Sequence, residues 1–372
     1  MPLPVAVFSL GGRRLPGLAE WGDETAMGST AAPPSPARDR LLAGLAAGLP
    51  ARGIWTAPAV VAVSGGADST ALVLGLVALA PPQARLVVAH AEHDLRATAG
   101  ADREFVAFLA GRLGLPCVWQ RLAVRDADDP AGEGIEARAR RLRYRFLEEV
   151  AREHGARHVL VAHTADDQAE TILHRILRGT GPAGLAGMAA ARELCDGVAL
   201  LRPLLAVDRS DVRQFLAAEA EAWREDESNA DVRFARNFLR HEILARCTAG
   251  PYPGAVPALV RLGRQAGQLA TALRSAAEQL LDAHARRRAD GSVELRTSGL
   301  AGLDPYLLTE VFAALWEREG WPRRDMTAAH YERLAALVGT ADATATGITD
   351  YPGGVRVTAS AGGITVCRMA SG

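Results

Sequence analysis

Short runs of apolar, often β-branched residues alternate along the middle of the chain with segments whose apolar residues recur every three or four positions. The runs that predict strands are residues 60–63, 86–90, 117–122, 158–162 and 198–201. Between them, Phe105, Leu109 and Leu113 have the spacing of one face of a helix. Such alternation is typical of βαβ units, so we expect an α/β fold with a doubly wound parallel sheet.

Composition and spacing divide the chain into three parts. Residues 1–40 are rich in Pro, Gly, Ser and Ala and have weak periodicity, so we expect a disordered extension there. A segment rich in Gly and Pro at 248–254 interrupts the helical pattern. It predicts a boundary between a catalytic domain at 41–246 and a second domain at 255–372.

The second domain contains two long stretches with helical periodicity, at residues 259–284 and 305–319. Each stretch is long enough for several helical turns and predicts a helix. Residues 345–366 alternate with glycines and predict a small β element. We therefore expect this domain to be smaller than the first and mostly helical.

Composition excludes several kinds of chemistry. The chain of 372 residues has 42 basic residues and no lysine, so every one of them is arginine. A Walker-type phosphate loop, Schiff-base and pyridoxal chemistry, and attachment of biotin or lipoate all need a lysine side chain. None of these can operate here. The net charge of -1 argues against non-specific coating of nucleic acid, although a local basic patch stays possible.

The four cysteines, Cys117, Cys195, Cys247 and Cys367, lie far apart, without a CxxC pair. They predict neither a zinc knuckle nor an iron–sulfur site, and a reduced, cytoplasmic protein fits them best. No apolar run approaches the roughly 18 residues that a membrane-spanning helix needs, so no membrane partner is expected.

The first predicted strand ends in a glycine-rich segment, Val-Ala-Val-Ser-Gly-Gly-Ala-Asp-Ser, at 61–69. Its glycines let the backbone approach a ligand, and its amides, together with the N-terminus of the next helix, attract anions. With no lysine available, the charge of a pyrophosphate must be neutralised by backbone, arginine and a divalent cation such as Mg²⁺, for which Asp68 is a candidate ligand. A capped tight turn is the alternative interpretation.

The string Ser-Gly-Gly-x-Asp-Ser resembles the signature of the PP-loop, or N-type, ATP pyrophosphatases, which cleave ATP between its α and β phosphates. By this resemblance, the chain adenylates an oxygen atom, and AMP is displaced in a second step. The residues that would then bind ATP are Ser64, Gly65, Gly66, Ala67, Asp68 and Ser69.

Four further segments follow in order, at residues 90–96, 162–181, 201–205 and 225–240. In order and spacing they closely resemble the tRNA(Ile)-lysidine synthase family. Members adenylate carbon 2 of the wobble cytidine in an isoleucine tRNA with a CAU anticodon and displace AMP with the amine of free L-lysine. The resemblance is strong over about 58–246 and weak elsewhere, and it implies ATP, Mg²⁺, L-lysine and this tRNA as cofactors and substrates. It departs at Glu92 and Asp94, where the family usually has Asn and Gly.

Asp166, Asp167 and Glu170 stand at the start of a predicted helix, where their spacing places Glu170 beside both aspartates. A carboxylate cluster of this kind could bind Mg²⁺ or recognise and deprotonate a cationic amine. The alternative for Asp167 is a capping box with Thr164. The predicted catalytic residues are Asp68, His163, Asp167 and Glu170, and the predicted metal ligands are Asp68 and Asp167.

Arginines concentrate in three places: 138–145, 175–178 and 236–240. A solvated helix face is the alternative interpretation of such runs, but planar guanidinium groups suit bidentate binding of phosphate and stacking on unpaired bases. The residues predicted to bind the substrates are His93, Arg96, Arg141, Asp166, Arg175, Arg178, Arg236, Asn237 and Arg240. The domain at 255–372 is expected to contribute to tRNA binding, and a homodimer is possible.

Three other functions remain open at this point. Cytidine 2-thiolation in tRNA uses a similar loop but needs clustered cysteines, which this chain lacks. A small-molecule amide ligase of the PP-loop group would not need RNA. A tRNA-binding protein with a degenerate loop is the non-enzyme alternative, and the intact Ser-Gly-Gly-x-Asp-Ser string argues against it.

Overall fold

The computed structural model describes residues 6–8, 35–51, 53–93, 99–124, 134–225, 231–340 and 347–369. The chain forms two compact units. The first comprises Met1–Thr180 and Gly187–Gly263, and the second comprises Gly181–Ala186 and Arg264–Gly372. The Gly- and Pro-rich segment at 248–254 therefore belongs to the first unit.

The first unit is built on a single sheet. Its strands are β1 Ala6–Phe8, β2 Ala59–Ala62, β3 Leu86–His93, β4 Cys117–Leu122, β5 His158–Leu160, β6 Ala191–Cys195 and β7 Val198–Leu201. The strand order is β1-β4-β3-β2-β5-β7-β6. Strands β4, β3, β2, β5 and β7 are parallel, whereas β1 and β6 pair antiparallel at the two edges. The expected α/β fold with a parallel sheet is confirmed.

Helices pack on both faces of this sheet. The helices of the first unit up to residue 249 are α1 Pro36–Gly48, α2 Ala67–Leu79, α3 Ala99–Arg112, α4 Ile135–Glu153, α5 Ala165–Leu177, α7 Arg209–Ala218, α8 Ala235–Phe238 and, after a π-helical turn at Leu239–Leu244, α9 Ala245–Ala249; the short α6 Pro182–Leu185 belongs to the second unit. Successive residues of a strand point to opposite faces. Val61 accordingly packs with Leu72 of α2 and Phe215 of α7, whereas Val60 packs with Phe146 of α4.

Helix α1 begins inside the segment that the sequence assigns to a disordered extension. Ser35 caps it by accepting a hydrogen bond from the Arg38 amide at 3.5 Å, and Pro36 occupies the first turn, where its missing N–H costs nothing. Leu41 and Leu45 are fully buried in the core of the first unit. The residues of 1–40 other than 6–8 and 35–40 lie outside the described part of the chain.

The expectation of a mostly helical C-terminal domain is wrong, because the second unit contains a five-stranded antiparallel sheet. Its strands, in the order β10-β11-β12-β9-β8, are β8 Ala285–Arg287, β9 Val293–Arg296, β10 Gly347–Tyr351, β11 Val355–Ser360 and β12 Gly363–Arg368. The predicted β element corresponds to only three of them. Strands β8 and β9 have three and four residues, too few for a period of two to stand out.

The two predicted long helices are present as α10 Ala255–His284 and α11 Pro305–Arg318, followed by α12 Ala328–Thr340. In the core of the second unit, the fully buried Trp316 stacks edge-on against Trp321, with ring centroids 5.0 Å apart. Among the described residues, no helix is long and apolar enough to cross a membrane.

Candidate active site

The glycine-rich segment forms a tight turn between β2 and α2. Gly65 has φ +93, which favours glycine. The Ser64 amide donates to Ser69 Oγ at 3.1 Å, and Ser69 Oγ donates to the Gly66 carbonyl at 3.0 Å, so the turn is closed by its own hydroxyl groups. Gly66 is the N-cap of α2 and has no side chain to cap it. The first amides of α2 are therefore available to an anion.

Residues distant in sequence hold this turn in place. The Arg224 amide donates to the Gly65 carbonyl at 2.9 Å, and its guanidinium donates to Asp102 of α3 at 3.1 Å. A Cβ atom at position 65 would lie 3.4 Å from the ring of Phe105. Sequence reasoning missed the supporting role of Arg224, which lies more than 150 positions from the turn that it supports.

Asp68, in the first turn of α2, has an unusual environment. Its Oδ2 lies 3.6 Å from Nε of Arg209, while its Oδ1 is buried and has no hydrogen-bond partner among the described residues. The pKa of Asp68 is raised to about 6, chiefly because the carboxyl group is buried. The positive charge of Arg209 lowers this pKa, and the negative charge of Asp167 raises it. The buried unpartnered oxygen leaves this carboxylate short of positive partners.

Asp167 and Glu170 are buried in α5 and are surrounded by three arginines, Arg209, Arg236 and Arg240, which we call the arginine cage. Oδ1 of Asp167 lies 3.2 Å from Arg209 and 3.0 Å from Arg236. Arg236 also contacts Oε2 of Glu170 at 2.8 Å. Arg240 contacts Oε1 of Glu170 at 2.6 Å and Oδ1 of Asp167 at 3.2 Å. Both carboxylates are therefore compensated inside the protein.

The second oxygen of Asp167 is also occupied. Its Oδ2 accepts from the Thr164 amide at 2.9 Å and from the Thr164 hydroxyl at 3.2 Å, so Asp167 takes part in the capping box of α5. Burial raises the pKa of Asp167, but the charges of Arg236 and Arg209 outweigh it and the pKa is lowered. With both oxygens occupied, Asp167 does not fit a metal ion in this arrangement. The described residues contain no group of three or more metal-ligating side chains.

His163 lies between β5 and α5, and its Nδ1 is buried without a hydrogen-bond partner among the described residues. Burial lowers its pKa to about 4; the charge of Asp167 raises it, and those of Arg202 and Arg236 lower it further. The imidazole is therefore neutral at pH 7. Asp166 accepts the backbone amide of Arg209 at 2.8 Å and thereby ties α5 to the start of α7.

For the remaining predicted site residues, the structure gives contacts other than with the acid pair, or a position only. Arg175 donates to the Gly187 carbonyl at 2.7 Å, and Asn237 donates to the Asp231 carbonyl at 3.0 Å, so both secure local loops. Arg178 is the exposed C-cap of α5. Arg141 lies on α4 and His93 ends β3. The side chain of His93 and the whole of Arg96 lie outside the described part of the chain.

Sequence reasoning missed Arg209, which contacts Asp68, Asp167 and Glu170 and is the side chain common to the loop and the acid pair. A signal was available. Arg209 is the first residue of α7, where the helix dipole disfavours a cation. A cation at that position indicates that nearby carboxylates stabilise it.

The sequence singled out the arginine run at 138–145 but did not show that part of it meets two further arginines at the same edge of the sheet. Two guanidinium groups stack on the ring of Tyr144 in α4: the guanidinium carbon of Arg140 is 5.0 Å from the ring centroid, and that of Arg192 in β6 is 4.9 Å from it. Arg202, directly after β7, is buried and donates to the Ala189 carbonyl at 2.7 Å. We call Arg140, Tyr144, Arg192 and Arg202 the arginine–tyrosine cluster.

Comparison with known proteins agrees with this geometry. Residues 55–247 match the family of PP-loop domains, so the first unit contains a domain of that class. The chain is 36% identical over 313 residues to a tRNA(Ile)-lysidine synthase of Rhodopirellula baltica, covering 75% of this chain and 79% of the relative. It is 44% identical over 255 residues to one of Methylobacterium nodulans, covering 68% and 73%. The chain belongs to the tRNA(Ile)-lysidine synthase family.

Two other matches are more limited, one in the share of the relative that is covered and the other in sequence identity. A tRNA(Ile)-lysidine synthase of Thermus thermophilus is 50% identical over 183 residues, which are 49% of this chain but only 34% of that longer relative. The solved U34-tRNA thiolase of Methanococcus maripaludis superposes with a TM-score of 0.53 over 62% of this chain and 80% of that chain, at 12% identity. That likeness concerns the fold alone.

Proposed function

We propose that the chain is a ligase that uses ATP to join free L-lysine to carbon 2 of the wobble cytidine of tRNA(Ile) with a CAU anticodon, releasing AMP and pyrophosphate. One observation supports it above others. Arg209 lies 3.6 Å from Asp68 of the phosphate loop, 3.2 Å from Asp167 and 3.7 Å from Glu170. The anion-binding turn and the buried acid pair are thus connected by one side chain. This arrangement would place a nucleotide at the turn next to an amino acid at the acid pair.

In the first step, the cytidine O2 attacks the α-phosphorus of ATP, a new oxygen–phosphorus bond forms, and pyrophosphate leaves. The turn from Ser64 to Ser69 binds the phosphates through its amides and hydroxyls. Mg²⁺ fits Asp68, because its Oδ1 is unpartnered and Mg²⁺ is commonly bound through one or two carboxylates plus phosphates. The ion would supply charge neutralisation for the phosphates.

In the second step, an amine of lysine attacks carbon 2, AMP leaves and the amine gives up a proton. Free lysine carries both signs of charge. Binding it would exchange ion pairs inside the cage for pairs with the ligand: the lysine carboxylate would take the place of Glu170 at Arg236 or Arg240, and an ammonium group would take the place of a guanidinium at Glu170. His163 is neutral at pH 7 and is a candidate acceptor for the proton. The tRNA, ATP and lysine that these steps need are consistent with a cytoplasmic enzyme.

The test is incubation with ATP, labelled lysine and an unmodified tRNA(Ile) transcript with a CAU anticodon. We expect lysine to enter the RNA with release of one AMP per lysine, and no incorporation into a transcript whose wobble base is uridine. Absence of incorporation by folded wild-type protein would exclude the proposal. Exchange of pyrophosphate into ATP without RNA would favour a small-molecule ligase. Thiolation is not supported, since the four cysteines are free and widely separated in the sequence.

A further inference from the structure

We propose that the arginine–tyrosine cluster is a binding site for a phosphodiester of the substrate RNA. The identity of the ligand rests on the proposed function, whereas the existence of an anion site rests on the geometry alone. The cluster combines α4, β6 and the residue after β7, so no single stretch of sequence contains it.

The cluster lies at the end of the sheet where the phosphate loop also lies. Arg202 directly follows β7, and Ala191, beside Arg192, pairs with Leu201 at the end of β7. The phosphate loop follows β2 and His163 follows β5, so all these residues are at the carboxyl ends of parallel strands. Ligands of doubly wound sheets bind at that edge.

The cations of the cluster have no carboxylate to neutralise them. Among the described residues, Arg140, Arg192 and Arg202 make no ion pair with an acid; Arg192 and Arg202 instead donate to the backbone carbonyls of Glu193 and Ala189. Nε of Arg202 is buried and has no hydrogen-bond partner among the described residues. Like charges gathered at one place repel one another, and an incoming anion relieves that repulsion.

The tyrosine ring prepares the site for its ligand. Arg140 and Arg192 are exposed and stack on Tyr144 at 5.0 and 4.9 Å, which restricts two long side chains before any ligand arrives. Less conformational entropy is then lost on binding. Guanidinium groups fixed in this way match the oxygen atoms of a phosphate group.

Position favours RNA over ATP as the source of the phosphate. In the sheet order, β7 is two strands from β2, which corresponds to about 10 Å at the usual spacing of neighbouring strands. The charges that act on Asp68 in the phosphate loop come from Arg209, Arg240 and two aspartates, whereas Arg202 and Arg140 act on His163. The cluster is therefore on the side of His163 that faces away from the loop strand.

The test measures binding of the unmodified tRNA(Ile) transcript, without ATP or lysine, at several salt concentrations. We expect Arg140→Ala and Arg192→Ala each to raise the Kd for RNA by about tenfold at low salt. Each should also reduce the slope of log Kd against log salt by roughly 0.7 to 0.9, the value for one lost phosphate contact. Arg192→Lys should retain the slope but bind more weakly than wild type, because an ammonium lacks the planar fork.

Arg85→Ala is the matched control. Arg85 is also exposed and has no acid partner among the described residues, but it precedes β3, at the amino end of a strand on the other side of β2. It should leave the Kd and the salt slope unchanged. An unchanged slope in both cluster variants would overturn the proposal, as would a raised Kd for ATP with unchanged RNA affinity, or a wild-type protein that does not bind the transcript. Because no catalysis is measured, the result is independent of whether lysidine forms.

Discussion

The arginine cage and the arginine–tyrosine cluster both consist mainly of arginines and lie at the same edge of one sheet. They differ in how the positive charge of those arginines is compensated. In the cage, Asp167 and Glu170 are buried and contacted by three guanidinium groups. In the cluster, the guanidinium groups stack on a tyrosine and have no acid partner among the described residues. The first arrangement satisfies its charges internally, and the second needs an external anion.

The difference indicates which arginines can be removed without loss of the fold. A buried carboxylate that loses its cations keeps the full cost of desolvation, whereas an exposed cation that loses its tyrosine returns to water. Stability should therefore depend on the cage, and affinity for anions on the cluster. Three experiments separate these two roles.

The largest effect is expected from the double change Arg236→Ala and Arg240→Ala. Of the three arginines that contact the buried Glu170, this change leaves only Arg209, at 3.7 Å, so we expect the free energy of unfolding to fall by about 3 to 5 kcal/mol. Glu242→Gln is the control, because Glu242 makes an exposed pair with Arg246 and should change stability by less than about 1 kcal/mol. Urea unfolding measures both; equal stability of the two variants would contradict the distinction.

The next effect concerns Asp68 and depends on pH. Its pKa in the folded protein is about 6, above the 3.8 of the unfolded chain, so the folded state loses stability as pH rises from about 4 to about 6. The loss is up to about 3 kcal/mol for a shift of two pKa units. Asp68→Asn should therefore be more stable than wild type at pH 7.5 and lose that advantage near pH 4, while losing ATP-dependent activity. A stability difference that does not vary with pH would rule out the raised pKa.

The smallest effect tests the cluster by ligand linkage. Inorganic phosphate at ten times its Kd should raise the free energy of unfolding by about 1.4 kcal/mol. Part of that gain should disappear in Arg192→Ala and persist in Arg85→Ala, since only the first removes a cluster cation. Thermal unfolding with and without phosphate, at constant ionic strength, measures the difference. If phosphate stabilised both variants equally, the bound phosphate ion would be assigned to the phosphate loop alone.

What the sequence predicts well is local. The phosphate loop and the parallel strands depend on neighbouring residues and on a period of two or of 3.6, and both were predicted correctly. The capping box from Thr164 to Asp167 is equally local and is confirmed. Strands β8 and β9 were not predicted, because they are too short for a period of two to be recognised. Strand β9 is stabilised by pairing with β12, which lies far from it in the sequence.

What the sequence predicts poorly is which distant side chains meet. The run at 138–145 suggested Arg141 as an RNA contact, yet in the fold it is Arg140 that stacks on Tyr144, and the second cation comes from β6. Nothing in the sequence indicated that Arg236 and Arg240 contact the buried acid pair. The substrate-binding roles assigned to His93, Arg96, Arg141, Asp166, Arg175, Arg178, Arg236, Asn237 and Arg240 stay predictions.

Arg209 has a consequence for the order in which substrates act. One guanidinium group shares its charge between Asp68 in the phosphate loop and the acid pair of α5. A ligand that compensates Asp68 changes how strongly Arg209 is drawn to Asp167 and Glu170, and a ligand on those two acids changes how strongly it is drawn to Asp68. On the proposed function, nucleotide and amino acid would therefore alter each other's affinity by the same factor. Through this coupling, the bound nucleotide would set the affinity for the amino acid before the amino acid reacts.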